Sequence, residues 1–311
     1  MTIAELMKQR SVFSFEVFPP KTDVGTQKLC GAGGVLDRLY SLSPDYISCT
    51  YGAGGSNVGK NLEVLSKIRA DGRCIPVTHL TCVANTQASL AAQLQTYLDN
   101  GIDHILALRG DIPVGSSGTG GDFQYASELV QLVRQRFGRQ FTIAVAGSPE
   151  GHIDAVSMQA DIGFLKRKQD EGADYIMTQL CWNMEQFRRW LDAIRSAGIV
   201  LPVDVGIMPV LDAAATMNMA FSRNGCVLPR ELSVLLSKHW IFPNPFAPKE
   251  DEATVAAKKA AFKEAGIEYT IRLIEEYRAC DIGGIHLYAL NKFDDVARIV
   301  RLSGIGKQHF A

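Results

Sequence analysis

The chain has 311 residues, 47% of them hydrophobic, with a formal net charge of -1 and a pI near 6.6. That length supports a large buried core, and the near-neutral balance gives no electrostatic case for nucleic acid or an anionic membrane as partner. No apolar run approaches the roughly 20 residues of a spanning helix, so no membrane segment is expected and a cytoplasmic location is.

Met1 to Arg10 reads as a short amphipathic helix rather than a signal peptide. The first strand follows over residues 12–17. Its period of two turns Phe13, Phe15 and Val17 one way and Ser14 and Glu16 the other. Pro19-Pro20 ends it, since neither residue can donate to a ladder. Glu16 then stands at the C-terminal mouth of an apolar strand, where desolvation is expected to raise its pKa and suit it to give up a proton. The alternative is a turn carboxylate that happens to precede a diproline.

Further strands are expected over residues 46–49, 75–80, 104–108, 141–146, 175–179, 203–207 and 284–288. Helical periodicity runs over 61–70, 88–100, 126–137, 155–171, 184–197 and 253–277. Gly72, Gly101, Gly138, Gly172 and Gly198 supply helix stops before the next strand. Eight strands, each followed by a helix, is the count for a (β/α)8 TIM barrel, here a single domain over residues 1–311. Residues 209–248 add an extra helix or two between the seventh and eighth strands. An open doubly wound sheet is the rival, but it carries a Gly-rich fingerprint after its first strand, where this chain has Pro19-Pro20.

A barrel of this kind places its chemistry at the C-terminal ends of its strands. Glu16 follows the first, Thr50-Tyr51 the second, and His79 ends the third. Arg109-Gly110-Asp111 follows the fourth, His152 the fifth, Gln179 ends the sixth, and Asn291-Lys292 follows the eighth. Three glycine clusters, at residues 31–34, 52–55 and 118–121, all fall short of G-x-G-x-x-G, so a Rossmann site is unsupported. The second lies between a strand and a helix and would let backbone approach a ligand. A serine nucleophile elbow, a P-loop and a zinc-protease motif are missing too.

Arg109 and Asp111 either serve a phosphate and a ring nitrogen or close their loop as a local ion pair. Arg167 and Lys168 lie about two turns beyond Asp161, broadly on its side of a helix, and read as a diphosphate clamp or as a solvated face. His79 and His152 each have a structural alternative. Seven cysteines, an odd number without C-x-x-C, point to buried thiols in a reducing compartment. Cys74, His79 and Cys82 have no nearby fourth ligand, and no metal is expected.

Taken in order, Phe13–Pro20, Ser48–Gly52, Thr78–Cys82, Leu108–Pro113, Pro149–His152, Gln159–Asp161 with Leu165–Lys168, Thr178-Gln179, Gly206–Pro209 and His286–Asn291 resemble the methylenetetrahydrofolate reductase family, in its bacterial, barrel-only form. The resemblance implies FAD in the barrel mouth, NADH or NADPH as hydride donor, and 5,10-methylenetetrahydrofolate as the substrate reduced to 5-methyltetrahydrofolate. It makes Glu16 the general acid that opens the folate's five-membered ring. Asp111 becomes the carboxylate near pterin and flavin, and Gln179 the amide shared by folate and nicotinamide in a ping-pong cycle. Thr50, Tyr51, Ala53, His79, Arg109, Gly110, Asp111, Tyr125, Ala126, His152, Ala155, Asp161, Arg167 and Lys168 fall on flavin-lining positions.

Departures are Ser148 for a frequent tyrosine, Leu180-Cys181-Trp182 where phenylalanine is usual, Met219 for a substrate-packing phenylalanine, and Lys292 for arginine. Met219 and Lys292 are carried over as substrate-binding. A homo-oligomer is expected, and the S-adenosylmethionine-sensing domain of longer relatives is not. Two other readings remain: a flavin-independent reductase with direct hydride transfer from NADH, and a non-redox folate-binding or methyl-transfer barrel.

Overall fold

Eight parallel strands pair in chain order and close on themselves: β1 (Val12–Val17), β2 (Tyr46–Cys49), β3 (Ile75–Thr81), β4 (His104–Leu108), β5 (Thr142–Gly147), β6 (Tyr175–Thr178), β7 (Val203–Ile207) and β8 (Gly284–Tyr288). The computed structural model describes residues 1–51, 58–112, 115–116, 118–222, 225–239 and 250–306. The helices are α1 (Ile3–Met7), α2 (Asp23–Cys30), α3 (Val35–Tyr40), α4 (Val58–Asp71), α5 (Gln87–Asp99), α6 (Ala126–Phe137), α7 (Met158–Asp170), α8 (Met184–Ser196), α9 (Ala213–Ala220), α10 (Arg230–Lys238), α11 (Glu252–Arg278) and α12 (Asp294–Ser303). This is the expected (β/α)8 barrel, with α9, α10 and α11 between β7 and β8. Among the described residues no helix is long and apolar enough to cross a membrane.

Alternation along the strands divides the core in two. Phe13, Phe15 and Val17 face outward, into the layer shared with the helices. Facing inward, Tyr46, Val77, Leu106, Ala144, Tyr175 and Met177 form a separate apolar cluster inside the barrel. Ile3 and Met7 of α1 close that cluster from the N-terminal end. A reciprocal capping box between Thr2 and Glu5 allows so short a helix to form there. The rest of the interior is polar: Ser14, Ser48, Asp204 and His286 are all fully buried.

Several boundaries differ from the sequence expectation. The helix expected from residue 155 begins at Met158, because the Ser157 hydroxyl accepts from the Ala160 N–H at 3.1 Å and caps it. β3 runs one residue further, to Thr81, β5 is displaced by one, and β6 stops at Thr178. The pair α2 and α3 between β1 and β2 carries no clear periodicity in the sequence. The Thr22 hydroxyl, accepting from Gly25 N–H at 3.1 Å, starts the first of them.

Candidate active site

At the C-terminal mouth lies a cavity of about 520 Å³, within the usual range for small-molecule sites. Thr50, Tyr51, His79, Arg109, Gly110, Asp111, Tyr125, Ala126, His152, Ala155, Asp161, Lys168 and Gln179 all line it. These residues come from the ends of five strands and from α6 and α7, with Lys168 in the last turn of α7, so barrel closure brings them together.

Buried amides hold the strand ends in place. Asn61 on α4 donates to the carbonyls of Cys49 and Thr50 at 3.1 and 3.0 Å. Its own oxygen accepts from Thr78 at 3.1 Å and Tyr97 at 2.9 Å, joining β2, β3 and α5 at one point. Asn85 does the same for the turn after β3, donating to Thr81 and Val83 carbonyls at 3.1 and 3.2 Å. At the seam between β8 and β1, the Asn291 amide accepts from Phe18 N–H at 3.0 Å and donates to its carbonyl at 2.9 Å. Asn291 holds a left-handed φ of 52°, which asparagine tolerates better than most residues. Gly110, at φ +85°, turns the β4 loop across the cavity against Thr81 and Val83.

Glu16 is not among the residues that line the cavity but lies beside His79, which does, with its side chain 17% exposed. Its carboxylate is 3.5 Å from His79 Nε2 and 3.8 Å from His286 Nε2. The Ser48 hydroxyl lies between the two imidazoles, 3.3 Å from His79 and 3.2 Å from His286. Desolvation pushes the Glu16 carboxyl up and is the largest single influence. A hydrogen bond from His286 and the charges of His79 and His286 together outweigh it, leaving the group below its ordinary value. The expectation of a raised pKa is therefore corrected: the sequence supplies the burial but not the two imidazoles. Burial also lowers His79, against the attraction of Glu16, so the charge that depresses Glu16 fades as His79 loses its proton.

On the other side of the mouth, Arg109 pairs with Asp154 at 2.7 Å and not with Asp111, which stays exposed. Arg109 thus ties the β4 loop to the β5 loop. Lys168 donates to the Ala146 carbonyl at 2.8 Å. Desolvation lowers its pKa to about 8 despite the pull of Asp161. Asp161 accepts from His152 N–H at 3.1 Å, and burial with the charge of Arg109 lowers His152. The Gln179 side chain accepts from Leu180 N–H at 2.9 Å, which fixes the face its amide presents to the cavity.

Some expected residues are not brought to the cavity. Arg167 is exposed on α7, since six positions after Asp161 is a third of a turn off its face, whereas seven brings Lys168 round. Met219 packs half-buried on α9 against the outer core, and Lys292 is exposed beyond β8. Ala53 lies outside the described residues.

The sequence reading passed over other groups at the site. Thr81 and Ser127 line the cavity with buried hydroxyls that have no hydrogen-bond partner among the described residues. Phe164 stacks on Tyr125 at 5.1 Å and gives the rim a flat apolar wall. Period-two alternation would have put Thr81 and His286 on the inner face, but which inner residues meet is set by closure.

The family model described as methylenetetrahydrofolate reductase matches residues 2–304. Methylenetetrahydrofolate reductase (NADH) 1 of Arabidopsis thaliana is 34% identical over 295 residues, 91% of this chain and 46% of its own length. The chain thus spans about half the length of that relative. The 5,10-methylenetetrahydrofolate reductase of Escherichia coli K12 is 40% identical over 209 residues, covering 67% of this chain and 68% of that one. Among solved structures, an uncharacterized Clostridium thermocellum protein that binds two copies of 5-methyl-5,6,7,8-tetrahydrofolic acid aligns with a TM-score of 0.64. At 14% identity, over 98% of this chain and 99% of that one, the likeness is one of fold.

Proposed function

The chain belongs to the methylenetetrahydrofolate reductase family, and on that premise we propose that it reduces 5,10-methylenetetrahydrofolate to 5-methyltetrahydrofolate. NADH, before NADPH, is the reductant, and FAD occupies the mouth cavity. The observation that carries this reading is Glu16 beside two buried imidazoles, one of which, His79, lines a ligand-sized cavity. An acid so placed meets a substrate nitrogen out of bulk water.

The donor set fits FAD. Two cations, Arg109 and Lys168, face one part of the cavity and suit a diphosphate. The orphaned hydroxyls of Thr81 and Ser127 suit further acceptors or a ribityl chain. Tyr125 and Phe164 suit an aromatic ring. Bound there, FAD supplies a two-electron carrier that serves the nicotinamide and folate substrates in turn.

The chain's own residues do the rest. Glu16 gives its proton to the folate, and the five-membered ring opens to a cationic iminium. Asp111, a carboxylate on the cavity rim, stabilises that cation. Gln179, with one amide that both donates and accepts, serves each substrate in its turn. The apolar wall and the β4 loop, pinned by Arg109 to Asp154, keep water from the floor.

The test is the visible spectrum of the purified protein, repeated anaerobically with NADH and then with 5,10-methylenetetrahydrofolate. A flavin spectrum that bleaches with NADH and returns with the folate is the expected result. A colourless protein that takes up no FAD yet makes 5-methyltetrahydrofolate overturns the flavin assignment in favour of direct transfer. Absence of colour and of activity overturns the reading as a whole.

A further inference from the structure

The Pro149–His152 motif carries an acid that the proposed reaction does not use. Glu150 sits half-buried in the loop after β5, in a turn closed by the Gly151 N–H on the Ser148 carbonyl at 2.9 Å. Its Oε2 accepts from the Val227 N–H at 3.0 Å, across 77 positions of sequence, and Val227 belongs to the connection between α9 and α10. Ser148, His152, Ile153, Asp154 and Ala155 of the same β5 loop line the cavity, while Glu150 and Val227 are not among the lining residues. The bond therefore lies outside the cavity and ties one of its walls to the α9–α10 connection.

Glycine geometry lets the two segments meet. Gly151 and Gly225 have φ of +86° and +79°, left-handed values that favour glycine. A Cβ on Gly225 would lie 2.9 Å from the Gly151 carbonyl oxygen, closer than a side chain tolerates. The α9–α10 connection is itself anchored: the buried Cys226 donates from Sγ to the Met219 carbonyl at 3.5 Å, and Leu228 packs on the outer core. Gln186 of α8 donates to the Pro149 carbonyl at 3.2 Å and braces the start of the loop.

We infer that Glu150 is a positioning residue: through Val227 it holds the β5 loop at the spacing that forms the cavity wall. Ladder pairing of β5 with β6 ends at Gly147 and Thr178, so beyond it the loop relies on side chains for its place. Among the described residues, Arg109 pairs with Asp154 at 2.7 Å on the cavity side, and Asp161 accepts from the His152 N–H at 3.1 Å. Glu150 supplies the tie to the α9–α10 connection.

This inference deepens the flavin assignment proposed above and rests on it only where FAD is the probe. With the bond gone, the loop populates positions that do not form the wall, and a ligand must select the fraction that does. Affinity falls by that fraction, while the chemistry at the bound cofactor is unchanged. Glu150→Ala should therefore weaken FAD binding about tenfold, with kcat at saturating FAD within about threefold of wild type. Glu150→Gln keeps an oxygen that accepts from the same N–H and should bind FAD within about threefold of wild type.

The first readout needs no ligand: amide hydrogen exchange of the ligand-free protein, resolved for residues 148–155 and 225–229. In Glu150→Ala both segments should exchange at least about tenfold faster than in wild type, and in Glu150→Gln neither should. Faster exchange confined to residues 225–229, or found in neither segment, overturns the inference. Fluorescence titration with FAD is the second readout. Faster exchange in both segments with unchanged FAD affinity upholds the tie and overturns its bearing on the ligand. A wild-type protein that takes up no FAD overturns the flavin assignment, and the exchange result alone then decides the tie.

Discussion

Lys168 shows how one residue's surroundings set a measurable property of ligand binding. Its ammonium is charged in water at any ordinary pH, but burial lowers its pKa to about 8. A diphosphate at this end of the cavity would raise it again. Below pH 8 the lysine already holds its proton, so affinity for FAD should be flat. Above pH 8 binding must take up a proton, and affinity should fall by up to about tenfold per pH unit. Lys168→Met should weaken binding on the order of 10- to 100-fold at pH 7 and abolish the pH dependence. Fluorescence titration with FAD from pH 7 to 9.5 checks both. A wild-type affinity that does not vary with pH contradicts the placement of the diphosphate. Lys168 itself was legible in the sequence, because seven positions after Asp161 is close to two full helical turns. Arg167, six positions on, stays exposed and off the cavity lining for the same geometric reason. The Glu16 environment was half legible: its desolvation follows from the strand, but His286 arrives from a strand 270 residues away.

At the scale of elements, Asn61 is the point where β2, β3, α4 and α5 are tied together. Replacing it with leucine leaves the Cys49 and Thr50 carbonyls, the Thr78 hydroxyl and the Tyr97 hydroxyl without their partner. The expected cost is about 3–5 kcal/mol, read as a lower urea midpoint at unchanged slope. Tyr97→Phe, which removes one of the four bonds, should cost about 1 kcal/mol. A loss below 1 kcal/mol for the leucine variant contradicts the account. The strands themselves were readable because each couples an apolar run to a turn signal. Five of the eight, β1, β2, β4, β7 and β8, begin and end where the pattern says. The misplaced ends have local causes: Ser157 captures the start of α7 by capping it, and α2 and α3 sit among glycines without strong periodicity.

Across the whole molecule, closure of β8 onto β1 puts a buried carboxylate, Asp204, into the interior, with a consequence for stability. Its carboxyl rises from 3.8 to about 6 on folding. Between those values the unfolded chain binds fewer protons than the folded one, so this group makes stability fall as pH rises from about 4 to 6. The loss amounts to roughly 3 kcal/mol. Asp204→Asn should remove that slope, so the variant should gain about 3 kcal/mol on the wild type between pH 4 and 7. Urea unfolding at the two pH values measures it, and a pH-independent difference contradicts it. Barrel closure was foreseeable from the strand count, but the pairing of Asp204 with Tyr46 was not, since it depends on the gap at Gly284 two strands from Tyr46. In the proposed function both substrates use one cavity beside Glu16, and that proposal has a direct test. In Glu16→Gln, rapid-mixing measurements of the two half-reactions should show reduction by NADH within about threefold of wild type and folate reduction slowed by at least about a thousandfold. Equal loss in both half-reactions, or wild-type rates in both, contradicts the assignment of Glu16 as the folate's acid.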